Sequence, residues 1–300
     1  MRRDLFTSLA VAVIALLASA LLASALLPSQ ASAADLYQPV YKALPPQAPP
    51  PNGFYAGIEF GGGWSDQAVN YSGNDPIAAE LLSGAFGIPG QQPLANGYRI
   101  SQSGLVGGLE GGYNWQPNSH WLLGLETDFS FSGMSGQASG TSTVFSSSGT
   151  TLTQATTAQQ DTDWYGTARG RAGFLATPNL LLFGTGGFAY GRVASSVNYA
   201  SQFPFGEVLL PNNIAIVCPA NAPCLTGASS AIRTGWTAGG GAEWLLDQHW
   251  SAKIEYQFVD LGTQTARVTA LVAPPTAPAS FNAAFRDRFN VVRLGLNYRF

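Results

Sequence analysis

Apolar and polar residues alternate with a period of two in eight segments of this chain. In the last segment the apolar residues share one parity: Val292, Leu294, Leu296, Tyr298 and Phe300. The residues between them are polar or glycine. Successive side chains of a strand point to opposite faces, whereas one face of a helix repeats about every 3.6 residues. The alternation therefore predicts strands with one apolar and one polar face.

The segments run approximately over Gly53–Trp64, Leu105–Trp115, Trp121–Phe131, Trp164–Phe174, Leu180–Tyr190, Trp236–Trp244, Trp250–Phe258 and Val292–Phe300. The fifth segment alternates less cleanly, because Leu181 and Phe183 interrupt its polar face. Short turns around Pro117, Pro178 and Asp247 alternate with long polar segments, which we interpret as loops: 65–104, 132–163, 192–235 and 259–286. Short turns at one end and long loops at the other are typical of an all-β, eight-stranded antiparallel up-and-down barrel in an outer membrane, with periplasmic turns and extracellular loops.

The tryptophans favour a membrane barrel over a soluble one. All seven lie at predicted strand ends and on the apolar parity: Trp64, Trp115, Trp121, Trp164, Trp236, Trp244 and Trp250. This placement predicts two aromatic girdles, as found at the two interfaces of a bilayer. A ten-residue step along a strand tilted near 45° rises about 23 Å, close to the apolar band of about 25 Å.

The polar parity carries acids and bases that we expect to line the barrel interior. They are Glu59, Glu110, Glu126, Asp128, Arg169, Arg171, Glu243, Lys253, Glu255 and Arg293, with Arg299 at the rim. A soluble barrel would have to bury these charges or expose the aromatic face to water, and both are costly. The interior of eight strands is just wide enough for side chains to fill it, so we favour a structural plug, with a conducting pathway as the alternative.

The N-terminal segment resembles an export signal. Arg2 and Arg3 precede an apolar run from Leu5 to Leu27, and Ala31-Ser32-Ala33 offers a cleavage site before Ala34. We expect a signal peptide at 1–33, a proline-rich periplasmic leader at 34–52 and the barrel at 53–300. The apolar run is long enough that an uncleaved helical anchor is the alternative.

The chain has two cysteines, Cys218 and Cys224, close together in a polar stretch that contains proline. In an exported protein such a pair suggests a disulfide that closes a loop, and two free thiols are the alternative.

Other classes of function find little support. No basic patch suggests nucleic acid. The two histidines, His120 and His249, both lie in predicted turns beside a tryptophan, away from candidate catalytic partners. No cluster with metal-ligand spacing and no phosphate-binding loop is present, so we expect no catalysis, no metal and no cofactor.

Several stretches resemble the alphaproteobacterial outer-membrane immunogenic protein family, a porin-like group with an eight-stranded barrel similar to that of outer membrane protein A. They are Asn52-Gly53-Phe54-Tyr55-Ala56-Gly57, Gly111-Gly112-Tyr113-Asn114-Trp115-Gln116, Gly170-Arg171-Ala172-Gly173, Thr185-Gly186-Gly187-Phe188-Ala189-Tyr190-Gly191, the stretch from Gly235 to Glu243, Trp250-Ser251-Ala252-Lys253-Ile254-Glu255-Tyr256 and Val259-Asp260-Leu261-Gly262. The resemblance covers most of the predicted barrel and none of the long loops.

The resemblance implies a surface protein of a Gram-negative outer membrane, in contact with lipid, with a role in envelope integrity or in host and antibody contact. A passive small-solute porin is the alternative. It also implies insertion by the barrel-assembly machinery, with Leu294, Leu296, Tyr298 and Phe300 resembling its C-terminal signal.

Overall fold

The computed structural model describes residues 52–75, 98–145, 151–202, 207–210, 214–217, 222–271 and 280–300. The predicted signal peptide and nearly all of the predicted leader lie outside these ranges. Within the described ranges, eight antiparallel strands form a closed barrel, and two short strands form a separate small sheet. The predicted fold class is confirmed. No helix in the described part of the chain is long and apolar enough to cross a membrane.

The strands, in chain order, are β1 Gly53–Gly73, β2 Arg99–Trp115, β3 Trp121–Phe145, β4 Thr151–Thr177, β5 Leu180–Gln202, β6 Glu207–Leu210, β7 Ile214–Val217, β8 Pro223–Leu245, β9 Trp250–Ala270 and β10 Ser280–Arg299. The order around the barrel is β1-β10-β9-β8-β5-β4-β3-β2, and β2 pairs with β1 to close it. Strands β6 and β7 pair only with each other.

Most of the strands are much longer than the sequence predicts. The segment 132–163, interpreted as a loop, is mainly a hairpin in which β3 and β4 pair from Phe131↔Trp164 up to Phe145↔Thr151. The segments 65–104, 192–235 and 259–286 also contribute strand residues. The long-loop interpretation is therefore wrong for much of these ranges. Beyond the apolar band both faces can be polar, so the alternation that reveals a strand fades while backbone pairing continues.

The outer face of β10 marks where the apolar band ends. From Phe300 to Val292 the outward residues are apolar, and they are followed by Asn290, Arg288 and Arg286. Arg288 is 12 residues from Phe300, a rise of about 28 Å at a tilt of 45°, which exceeds the apolar band of about 25 Å. We call the part of the barrel beyond the level of Arg288, on the side away from the short turns, the upper barrel.

Candidate functional site: the barrel interior

The structure places all ten predicted interior charges inside the barrel, each no more than 5% exposed. They come from seven strands, because strict alternation turns every second side chain inward. The eighth barrel strand, β5, contributes Phe183 and Thr185 instead. The Arg171 guanidinium lies 4.1 Å from the centre of the Phe183 ring, and Arg169 donates a hydrogen bond to the Thr185 hydroxyl at 3.2 Å. Leu181 and Phe183, which interrupt the polar pattern, do face inward.

Four bases tie six acids into one network. Arg293 pairs with Glu59, with Asp128 at 3.1 Å and with Glu255 at 2.9 Å. Arg169 pairs with Glu126 and Glu255, and with Asp128 at 3.0 Å.

The remaining two bases extend the same network toward the short turns. Arg171 pairs with Glu243 and lies 3.6 Å from Glu126. Lys253 pairs with Glu110 and lies 3.4 Å from both Glu126 and Glu255. Every base contacts at least two acids, so no single ion pair can open without disturbing others.

Neutral side chains complete the network. The Tyr55 hydroxyl donates to Glu126 at 2.5 Å, and the Thr167 hydroxyl donates to Asp128 at 2.5 Å. Tyr55 lies on the inward parity of β1 but was not among the predicted site residues. A tyrosine on a polar parity is the signal that could have found it, because a buried hydroxyl needs a hydrogen-bond partner.

Three carboxylates, those of Glu59, Glu110 and Glu255, bring one oxygen each within 4.8 Å of one another. Metal binding needs carboxylates that are free to coordinate. Here Arg293 pairs with both Glu59 and Glu255, and Lys253 pairs with Glu110. The arrangement favours ion pairing over a metal ion.

The charged network is one of several layers across the barrel. Nearest the short turns lies an apolar layer of Leu122, Leu175, Leu181 and Leu245. Beyond the network lies a second apolar layer: Val106, Met134, Tyr165, Ala189, Val193, Val259, Leu261, Phe289 and Val291. In the upper barrel a third follows: Val69, Ile100, Ala158, Val197, Tyr199, Cys224, Leu225, Ala266, Val268, Phe281, Ala283 and Phe285.

The layers follow the same order along individual strands. On β10, Phe285 of the third layer precedes Asp287, which is followed by Phe289 of the second layer and Arg293 of the network. Asp287 belongs to a polar layer between the two apolar ones, where Gln160 donates to it at 2.5 Å. The sequence pattern did not predict this layer, because Gln160 lies in the segment 132–163, which was interpreted as a loop, and Asp287 precedes the predicted final strand Val292–Phe300.

The predicted girdle tryptophans lie on the outer face. Four flank the short turns and are 41% to 57% exposed: Trp115, Trp121, Trp244 and Trp250. The other three lie at the opposite ends of the predicted strands: Trp64, Trp164 and Trp236. The ring centres of Trp164 and Tyr190 are 6.1 Å apart.

The two histidines lie in short turns with the same construction. Asn118 accepts the backbone N–H groups of His120 and Trp121, and Asp247 accepts those of His249 and Trp250. These two backbone hydrogen bonds lower the pKa of the exposed Asp247 carboxyl. Each histidine ring stacks on an aromatic ring of the lipid face, so both belong to turn and interface packing.

At the same end, Arg299 lies at the rim and donates to the backbone carbonyl of Asp247 at 3.0 Å. Cys224 is buried at the start of β8 and is not a free thiol. Cys218 lies outside the described residues, so its pairing with Cys224 stays a prediction.

A closed ring of eight strands with an aromatic, lipid-facing exterior and a charged interior is the architecture of an outer-membrane barrel. A family model described as the outer membrane protein beta-barrel domain matches residues 18–300. The chain belongs to this family. It is thus a protein of the bacterial outer membrane, and the short turns lie on the periplasmic side.

The relatives agree with this assignment. The 31 kDa outer-membrane immunogenic protein of Brucella melitensis is 32% identical over 216 residues, which are 72% of this chain and 75% of the relative. The 22 kDa outer membrane protein of Rhizobium leguminosarum is 23% identical over 197 residues, 66% of this chain and 67% of the relative. The resemblance to the immunogenic outer-membrane proteins is confirmed.

Among solved structures, the outer membrane protein OprG of Pseudomonas aeruginosa is similar, with a TM-score of 0.44 and 12% identity, over 83% of this chain and 97% of OprG.

Proposed function

We propose that this outer-membrane barrel is a closed structural and surface protein, without catalysis and without a conducting pore. The observation that carries the proposal is the succession of apolar and charged layers across the interior. A permeating ion would have to cross the leucine layer beside the periplasmic turns, the charged network and then the second apolar layer. Moving an ion through an apolar layer without water is costly.

The network itself also opposes conduction. Arg169 contacts three carboxylates from two strands and Arg293 three from three strands, so a path through the network would require several buried ion pairs to break together. Removing one partner from a buried pair typically costs about 3 to 5 kcal/mol. The passive porin is therefore the second candidate.

Single-channel recording in planar bilayers tests this choice. We expect no discrete current steps from the refolded mature protein at concentrations where a general porin inserts and conducts. Migration that differs between boiled and unboiled samples on SDS gels verifies that the barrel is folded. Reproducible steps from folded protein, absent from detergent alone, would favour the porin.

The surface role rests on location and on relatives. The Brucella relative is named as an immunogenic outer-membrane protein, and we extend surface exposure and antibody contact to this chain. A strain that lacks the protein should become more sensitive to detergent, and antibodies against the extracellular end should label intact wild-type cells. Failure of both experiments would reject the surface role.

Insertion by the barrel-assembly machinery belongs to the same proposal. Its support is the terminal strand, in which Leu294, Leu296, Tyr298 and Phe300 all lie on the lipid face and are 37% to 79% exposed.

A further inference from the structure

The wall of the upper barrel contains a seam between β8 and β9. The pairing of these strands passes directly from Trp236↔Asp260 to Thr226↔Thr269. The β8 residues in between remain paired with β5, and β9 pairs with β10 from Thr263 onward. The seam, residues 227–235 of β8 and 261–268 of β9, therefore has ordered strands on both sides and no ladder across it.

The local backbone is adapted to this interruption. Gly262 has a φ of 86°, in the left-handed region that favours glycine. Its N–H donates to the Asp260 carboxylate at 2.9 Å, so a side chain replaces a strand partner. Ser229 and Ala231 of β8 have inward parity but are partly exposed, whereas Val193, Ser195 and Val197, the inward residues of the adjacent β5 at this level, are buried. Solvent therefore reaches the seam.

Arg233 crosses the seam. Its Nη2 donates to the backbone carbonyl of Thr263 on β9 at 2.6 Å, and its Nε lies 4.0 Å from Asp287 on β10. One side chain thus links three strands where backbone hydrogen bonds are missing.

Asp287 lies behind the seam and is 3% exposed. The groups around its carboxyl are Arg233 of β8, Asp260 of β9 and the neutral Gln160 of β4. On its own strand, Arg286 and Arg288 face outward, and Arg288 pairs with Asp260 at 2.7 Å.

Burial raises the pKa of Asp287 to about 7, against the opposing effects of Arg233 and of the hydrogen bond from Gln160. The adjacent Gln264, 2% exposed, has no hydrogen-bond partner for either amide atom within the described part of the chain. Both side chains would gain from contact with water.

We propose that this seam is a lateral gate in the extracellular barrel wall, strapped by Arg233 and opened when Asp287 loses its proton. Opening hydrates the carboxylate, and a hydrated carboxylate is more stable than a buried one. Proton release and opening are therefore linked, and the open population should rise by at most about tenfold per pH unit between about pH 4 and 7. The gate is separate from the proposed closed membrane barrel, because the layer containing Phe289 lies between Asp287 and the charged network.

Thiol labelling of the barrel in lipid nanodiscs tests the gate. The reporter is Gln264→Cys, and the matched control is Thr265→Cys, the exposed outward neighbour on the same strand. Both are treated without reductant with a membrane-impermeant maleimide, and the parent chain gives the background. The ratio of the two rates removes the intrinsic pH dependence of thiol chemistry. We expect this ratio to rise about tenfold or more from about pH 5 to pH 8.

Variants separate the strap from the acid. With Arg233→Ala the ratio at pH 8 should rise about tenfold further, because a charge-assisted hydrogen bond and a counter-charge are lost. Arg233→Lys should give an intermediate ratio, and Asp287→Asn a low ratio independent of pH. Arg99→Ala removes an exposed arginine that pairs with Asp66 at 3.0 Å between β2 and β1, away from the seam, and it should leave the ratio unchanged.

The gel-mobility difference between boiled and unboiled samples verifies that each variant is folded. A ratio that is equal at both pH values in the parent background would overturn the role of Asp287. Equal ratios for Arg233→Ala and Arg99→Ala would overturn the strap.

Discussion

Leu294 and Arg293 are neighbours in the chain and lie on opposite faces of β10. The variants Leu294→Arg and Arg293→Leu therefore test which face of the strand contacts lipid and which faces the barrel interior. Leu294 is 55% exposed on the lipid face, whereas Arg293 is 1% exposed inside the barrel. Leu294 is six residues from Phe300, a rise of about 14 Å at a tilt of 45°, which places it near the middle of an apolar band of about 25 Å.

Leu294→Arg puts a cation into lipid near mid-membrane, which costs about 2 to 4 kcal/mol. We expect the free energy of unfolding in lipid to fall by this amount at every pH between about 4 and 9, because arginine stays charged throughout. Leu294→Phe is the matched control and should change stability by less than about 1 kcal/mol, since an apolar side chain still faces lipid.

Arg293→Leu leaves the lipid face unchanged and removes one cation from the interior. Glu59, Asp128 and Glu255 each lose an ion-pair partner, and loss of one partner of a buried pair costs about 3 to 5 kcal/mol. This cost should shrink as the pH falls, because protons can neutralise the uncompensated carboxylates.

Urea titration of both variants in lipid vesicles at several pH values measures these costs. A Leu294→Arg barrel as stable as the parent, or a pH-dependent cost for Leu294→Arg with a constant one for Arg293→Leu, would mean that the strand is shifted by one residue.

Three further predictions concern other parts of the molecule. Asp287→Asn should stabilise the barrel at high pH. Because the pKa of Asp287 is raised to about 7 in the folded barrel, the parent is most stable below about pH 4 and loses stability as the pH rises to 7, so the advantage of the variant in the free energy of unfolding should grow over this range to at most about 4 kcal/mol. Urea titrations measure this difference, and an equal advantage at pH 4 and pH 8 would contradict the prediction. Deletion of Phe300 should reduce assembly in cells several-fold while leaving refolding into vesicles unchanged, and equal losses in both assays would remove the recognition role. Cys218 and Cys224 should resist alkylation on intact cells until a reductant is added, and free labelling without reductant would reject the disulfide. The double variant Cys218→Ser/Cys224→Ser should leave the gel mobility of the folded barrel unchanged.

The side chains that face lipid and those that face the interior could be assigned from the residue pattern alone. Within the apolar band each strand has lipid on its outer face and packed polar groups on its inner face. Successive residues therefore alternate between apolar and polar with a period of two. This is why Arg293 and Leu294 could be assigned to opposite faces, and why the tryptophans could be placed at strand ends. The positions of the strand ends beside the periplasmic turns could also be predicted, because an aromatic residue lies next to turn-forming residues there.

The lengths of the strands, the pairing of the charges and the interruption of the wall depend on the three-dimensional fold and could not be predicted from the residue pattern. Above the membrane the barrel has water on its outer face, so the polar residues of 134–141 and 155–162 show no alternation although their backbone is paired. Arg293 meets Glu59 across 234 residues of chain, a contact that depends on barrel closure and register. The seam crossed by Arg233 likewise depends on the register of β8 against β9. Each of these strands is paired on its other side, and no local residue pattern indicates that the ladder between them is interrupted here.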